Sequence, residues 1–407
     1  MRNREIILVV VNNSLGEVHF ILPYLIKARK ECDLDIYFYF VNSKIYDKTV
    51  NDTFFYDQIS QNASILKPSE IFSFLLKKRK RVSLILKDTT PVSSSNIVVK
   101  IRHCCPYAKL IFFPHAYALL GYKEQGRNEN YVYKKEDEVA DYVLYGHPFD
   151  KPWLRQRFPE RKLVFSGALG YTSWWRAYVS SYVEANLKNP ATTDGKSMVV
   201  LFTIRDVHRI YLNAENFEYL FRTALKVLFD STNHFVIIKP HPRQNINSLE
   251  SFLSGYDSNR YTIQYHNTFV LACLADINLS FWSSAVTDCL AMGVPALEFH
   301  KFHVPFSQTV ESEGGLESFY THLGLAEKVT SGEELEGLLK LNEQGLSKML
   351  RKQQKTFYKI FPDDQVGFNN FKALINREER SGYTMNRSAK SLFYFFLKSI
   401  YRKLKPV

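Results

Sequence analysis

Five cysteines in 407 residues form no CxxC pair, and an odd number cannot all pair with one another. Thiol-ligated zinc spacings are therefore excluded, and reduced thiols in a cytosolic protein are expected. No apolar run approaches the roughly 18 residues that a membrane-spanning helix needs. The first apolar run, Ile6–Val11, is too short for the core of a secretory signal and has no cleavage site behind it. Zinc-finger spacing, RNA-recognition aromatic motifs and helix-turn-helix patterns are missing, and the basic residues are dispersed among apolar segments, which excludes nucleic acid as the partner. The single DxD, Asp33 to Asp35, precedes its expected strand and should sit away from any cleft. His300 and His303 have a loose metal spacing but no carboxylate close by, so no metal site and no cofactor is expected. Internal repeats and low-complexity tracts are absent as well.

What is present is a folded soluble protein: 45% of residues are hydrophobic and 23% charged. Aromatics reach 15%, mostly Phe and Tyr, enough for well-filled cores and a stacking surface. The formal charge of +12 calls for an anionic partner. With nucleic acid set aside, a phosphorylated substrate and an acidic membrane surface remain.

Short apolar runs alternate with amphipathic segments almost from end to end, the mark of βαβ units around a parallel sheet. Ile6–Val11, Asp35–Phe40, Val82–Leu86, Lys109–Phe113 and Tyr142–Leu144 read as strands, with helices over Val18–Lys30 and Ser69–Lys80. Near residue 146 a stretch rich in Pro, Gly and aromatics reads as a connection between lobes. From Ser197 the alternation restarts. The expected fold class is α/β, with two Rossmann-like domains facing across a cleft and a ligand between them. The boundaries expected are an N-terminal acceptor domain over 1–170, a linker over 171–196, a donor domain over 197–345 and helices packing back on the lobes over 346–385. Residues 386–407, "NRSAKSLFYFFLKSIYRKLKPV", carry Lys and Arg without acid, interleaved with Leu, Phe, Tyr and Ile. On a helix Leu392, Phe395, Phe396 and Ile400 fall near one face. That face either adsorbs to an anionic membrane or docks on the protein.

Two motifs carry the chemistry. In "HFVIIKPHPRQN" a buried strand runs into Lys239, His241 and Arg243, with prolines fixing the backbone on both sides of the histidine. Ligands of open α/β sheets sit beyond the carboxyl ends of the strands, so these cationic side chains meet a phosphate there. About forty residues on, "DINLSFWSSAVTDCLAMGVPALEF" places Ser283 and Ser284 at a helix N-terminus, an anion site made of free amides. Asp288 follows one turn later, where a carboxylate accepts ribose hydroxyls. Gly293 closes that helix.

Together these motifs resemble the C-terminal half of GT-B glycosyltransferases. The nearest branches are those of bacterial surface glycans: β-Kdo transferases, sialyl- and polysialyltransferases, and CDP-glycerol glycerophosphotransferases. The motif match spans Met198 to Phe299. The resemblance implies that His241, Ser283 and Ser284 bind the phosphates of a nucleotide donor. In "TIRDVHR", Arg205, Asp206 and His208 follow the first strand of the second half. By likeness to the β-Kdo transferases, Asp206 would be a nucleophile in double displacement; the other reading is an ion pair with Arg205 or a helix cap. In the first half, "NNSLGEVHF" puts Gly16 and Glu17 in a strand-to-helix turn, with Glu17 either a general base or a helix-capping carboxylate. His115, in "FFPHAYALLG", follows a strand and resembles the histidine turn of the glycerophosphotransferases, although their Trp-His-Gly pattern is absent.

The resemblance implies a metal-independent glycosyltransferase on the cytoplasmic face of the plasma membrane. It would move a sugar from a nucleotide-sugar donor, first choice a CMP-linked acidic sugar such as Kdo, to a capsule or lipopolysaccharide glycan or lipid-linked acceptor. A CDP-glycerol glycerophosphotransferase, a nucleotide-sugar epimerase and a non-catalytic binding subunit are the alternatives.

Overall fold

The structure is a computed structural model. It describes residues 4–12, 15–89, 96–115, 140–188, 198–205, 207, 212–241, 244, 246–302, 304–305, 309–313, 315–375 and 384–404. The chain divides into two compact units. The first comprises Met1–Gly170 together with Asp364–Val407, the second Tyr171–Asp363.

The first unit holds strands β1 (Glu5–Val11), β2 (Leu34–Phe40), β3 (Ser64–Leu66), β4 (Val82–Asp88), β5 (Lys109–Phe113), β6 (Tyr142–Tyr145) and β7 (Leu163–Phe165). They form one sheet in the order β3-β2-β1-β4-β5-β6-β7, and every pairing is parallel. Residues 6–11 of β1 are all buried, which is what helices on both faces of a parallel sheet require. Chain order reverses between β1 and β4, so the carboxyl ends of these two strands frame the ligand crevice of such a sheet.

The second unit repeats this winding with β8 (Val199–Thr203), β9 (Phe235–Lys239), β10 (Tyr261–Ile263), β11 (Ile277–Ser280), β12 (Ala296–Phe299) and, after the antiparallel hairpin β13 (Thr309–Ser312) and β14 (Gly315–Ser318), β15 (Glu327–Val329). Its parallel sheet runs β10-β9-β8-β11-β12-β15, with the switch point between β8 and β11. The helix Ala285–Met292 ends at Gly293, whose φ of 87° is the left-handed C-cap that glycine provides.

Two stretches late in the chain complete the first unit. The helix Val366–Ala373 approaches the strand end after β7 so closely that a Cβ on Gly367 would overlap the carbonyl of Ser166. The Tyr24 hydroxyl binds the same segment, donating to the carbonyl of Gly167 at 2.5 Å. The C-terminal helix, Met385–Leu404, packs on the helices Ile71–Lys78 and Asn96–Cys104. Phe395 is wholly buried there as part of the first hydrophobic core, and Leu392 is packed against it. The face expected to meet a membrane is thus divided: Phe395 and Leu392 turn inward, while Phe396 and Ile400 are exposed. The sequence shows that a stripe must be buried, but a helix with two apolar stripes leaves open which one.

All five cysteines are free, with Cys104, Cys105 and Cys289 buried. Among the described residues no helix is long and apolar enough to cross a membrane. Asp33 and Asp35 lie at the amino end of β2, where Arg4 (2.5 Å to Asp33) and Arg81 (2.7 Å to Asp35) pair with them, on the edge of the sheet opposite the crevice.

Candidate functional site

In the first unit the carboxyl ends of β1, β4 and β5 gather Glu17, Asp88 and His115. The turn after β1 brings Gly16 and Glu17 to the start of the helix Leu15–Glu31. Glu17 is fully buried, and its Oε2 accepts the backbone N–H of Asn12 at 2.9 Å. It therefore braces the turn as a capping carboxylate does.

β4 ends in two buried charged residues, Lys87 and Asp88. The Lys87 ammonium donates to the Asp88 carbonyl at 2.9 Å and lies 3.8 Å from Asp88 Oδ1. Asp88 Oδ2 accepts from His115 Nδ1 at 2.7 Å. With its proton held on Nδ1, the imidazole presents the lone pair of Nε2. Nε2 faces residue 16: a Cβ there would lie only 2.7 Å from it, so the histidine occupies this place because position 16 is glycine. Burial opposes protonation of His115, but the Asp88 hydrogen bond and the Asp88 and Glu17 charges outweigh it, with Lys87 opposing them, and the pKa is raised above the ordinary histidine value.

Glu17, Asp88 and His115 each offer a ligand atom within 4.8 Å of the others. The group suits a divalent ion poorly. Such an ion would compete with the Asp88–His115 bond and would face the Lys87 ammonium, which already supplies the cation.

In the second unit β8, β9 and β11 end in Thr203, Lys239 and Ser280. The registers Thr203↔Lys239 and Ser280↔Thr203 set the ends of β9, β8 and β11 at one level. His241 and Ser283 follow the carboxyl ends of β9 and β11, two strands that lie two strand spacings, or roughly 10 Å, apart. Between them Arg205, following β8, donates from Nη1 to the Trp282 carbonyl at 3.2 Å and stacks 4.2 Å from its ring. Trp282 has φ 64°, a left-handed backbone that costs an aromatic residue energy and recurs at ligand-binding turns. Its ring also packs against His300 and Phe302, so His300 belongs to an aromatic platform.

Ser283 Oγ accepts the N–H of Ala285 at 3.2 Å, whereas Ser284 makes no side-chain cap. Only one of the two serines is thus accounted for by helix capping. Asp288 is buried, and Tyr171 donates to its Oδ1 at 2.9 Å. Lys239 makes itself felt at His266, beyond β10, whose pKa is lowered by burial and then by that charge. Beneath the edge, Glu298 of β12 aligns with Ser280. Burial pushes its carboxyl up to about 8, against a stabilising bond from Ser318, so it is protonated at neutral pH.

Gly16, Glu17 and His115 are thus brought together, and Lys239, His241, Arg205, Ser283 and Ser284 share one strand edge. Asp206, His208, Arg243 and His303 lie outside the described residues. Asp88, Lys87, His266, Tyr171 and Trp282 went unread. The signal for the first two was "LILKD", a buried strand running into charge, the same pattern that drew attention to "FVIIKPH".

No family model matches this sequence, and neither does any curated protein. Solved structures do. A glycosyltransferase from Rickettsia africae ESF-5 matches at TM-score 0.51 and 13% identity, over 91% of this chain and 98% of that one. The wall teichoic acid polymerase TagF, soaked with CDPG, matches at 0.55 and 13%, over 92% and 88%. MnaA of S. aureus, solved with UDP, matches at 0.53 and 12%, over 90% and 94%. At such identities the likeness is one of fold, and the fold is GT-B.

Proposed function

We propose that this protein is a glycosyltransferase that moves a sugar from a nucleotide-activated donor to a hydroxyl of a bacterial surface glycan or its lipid-linked precursor. The second unit binds the donor. Lys239, His241 and Arg205, with the amides and hydroxyls at Ser283 and Ser284, take up the charge of the phosphate as it leaves. The first unit handles the acceptor. His115 Nε2 takes the proton of the attacking hydroxyl, the oxygen bonds to the anomeric carbon, and the carbon–oxygen bond to the nucleotide phosphate breaks. Asp88 holds the tautomer and stabilises the imidazolium, as the carboxylate of a serine-protease triad does.

The observation that carries this reading is the 2.7 Å Asp88–His115 pair at the switch point of the first sheet. It supplies a base without the Asp206 nucleophile, so direct displacement is the mechanism proposed, with no metal ion required. Our first choice of donor is a CMP-linked acidic sugar such as Kdo. The enzyme would work on the inner face of the plasma membrane, its basic first unit towards the lipid.

A panel of CMP-, CDP-, UDP- and GDP-activated donors tests the proposal. Slow release of CMP from a CMP-sugar in the absence of acceptor is the expected result. An isomerised donor would make the protein an epimerase, no release from any donor would make it a binding subunit, and CMP from CDP-glycerol alone would make it a glycerophosphotransferase. A sugar adduct on Asp206 in an intact mass spectrum would replace direct displacement by double displacement.

A further inference from the structure

The C-terminal helix bears a second apolar stripe. Phe393, Phe396, Leu397, Ile400 and Tyr401 stand at the i, i+3, i+4, i+7, i+8 positions of one face, and all are exposed, Phe393 by 60%. The opposite face carries the buried Ser388, Ser391 and Phe395. Docking is firm: Lys100 Nζ lies 3.9 Å from the Tyr394 ring centroid, and Arg79 reaches Ser388 at 3.3 Å. The ring of Phe396 meets Phe72 of the helix Ile71–Lys78 at 5.4 Å, and on that helix Leu76 is 56% exposed. Exposed apolar side chains in such a row mark an interaction surface.

Charge identifies what covers it. Lys77 and Lys80 beside Leu76 are exposed, as are Arg387 and Lys390 on the C-terminal helix, and residues 384–407 contain no acid. The bias extends to the whole unit. The first unit has 35 Lys and Arg against 21 Asp and Glu, a net of +14; the second has 18 against 20, a net of −2. The excess positive charge of the chain thus belongs to the unit that carries this surface and not to the unit that carries the phosphate site. Two copies meeting through the stripe would bring like-charged rims together, whereas an anionic headgroup layer satisfies both the rim and the apolar centre.

We propose that the outer stripe of the C-terminal helix and Leu76 of its neighbour form one preformed docking surface for an anionic lipid bilayer, with the helix lying in the plane of the interface. This rests on the membrane-face reading above and deepens it: the contact is a composite, folded surface and not a loose tail.

The test is co-sedimentation of the full-length protein with vesicles of phosphatidylcholine, alone or mixed with phosphatidylglycerol, at low and at physiological salt. Wild type should partition onto the mixed vesicles only, and less at the higher salt. Phe393→Ser with Leu397→Ser, and separately Lys77→Glu with Lys80→Glu, should each weaken that partition at least about tenfold, while Lys348→Glu in the second unit stays within about twofold. Melting temperature and CMP binding, measured on the same samples, should not change. Equal partition of the variants and wild type would overturn the proposal, as would equal binding to both kinds of vesicle. So would a wild-type dimer that sediments without vesicles and is dissolved by the Phe393/Leu397 substitutions. Lost CMP binding in wild type with intact partition would count against the transferase reading and leave the surface standing.

Discussion

The two units share one winding and differ in what their strand ends present. The first, with a net charge of +14, brings two buried carboxylates and a histidine to its switch point; the second, at −2, brings cations and hydroxyls to the same place. Local and global charge run in opposite senses. A proton acceptor needs carboxylates that raise a histidine's basicity, whatever surrounds the unit at a distance. A leaving phosphate needs donors within hydrogen-bond reach, and net charge beyond a Debye length of about 10 Å adds little. The fold therefore gives position, and the few residues after each strand give chemistry.

The largest expected effect breaks this division in the first unit. His115→Ala should lower kcat by about 10²–10⁴ while CMP binds as to wild type; an equal loss of CMP affinity would show that the two sites are not separate in role. The same histidine fixes the pH dependence. Nε2 works unprotonated and its pKa is raised, so turnover should fall as pH drops through a value above about 6.5. Asp88→Asn should lower the plateau and move that limb towards lower pH. A limb that stays in place would remove Asp88 as the partner.

In the second unit, His241→Ala combined with Lys239→Ala should weaken CMP binding by about 10–100-fold, which calorimetry would read. Unchanged affinity would move the phosphate elsewhere. Glu298→Gln probes the same unit through stability. The carboxyl titrates near 8 when folded and near 4.5 when unfolded, so its contribution is complete below pH 4.5 and is lost as pH rises through 8. Melting curves should coincide at pH 4 and favour the glutamine variant by a few degrees at pH 8. Parallel curves would mean the carboxyl is not buried as described. The smallest effect expected is that of EDTA, which should leave turnover within about twofold; a large loss would give Glu17, Asp88 and His115 to a metal ion.

The residues proposed to bind the donor could be read as candidates because they are contiguous in sequence. Lys239 and His241 follow one strand, Ser283 and Ser284 open one helix, and each motif reads within a dozen residues. The Asp88–His115 pair could not be read so, since the two are 27 residues apart and only the pairing of β4 with β5 brings them together. The longer strands announced themselves through continuous apolar runs, and Lys109–Phe113 matches its expected bounds. The three-residue strands β3, β7 and β15 are shorter than any periodicity that could reveal them. On the C-terminal helix the amphipathic character was plain, but the choice between the Phe395 and Phe393 faces depended on the grooves of two other helices.

Unit one is written in two instalments, with 193 residues of its neighbour between them. A ribosome that stalls anywhere in that interval releases a sheet whose pocket for Phe395 is still empty and whose Ser166 carbonyl has not met Gly367. Folding of the first unit is thus completed only once the helix Met385–Leu404 has been made, so that a chain cut before it exposes an open core to chaperones and proteases.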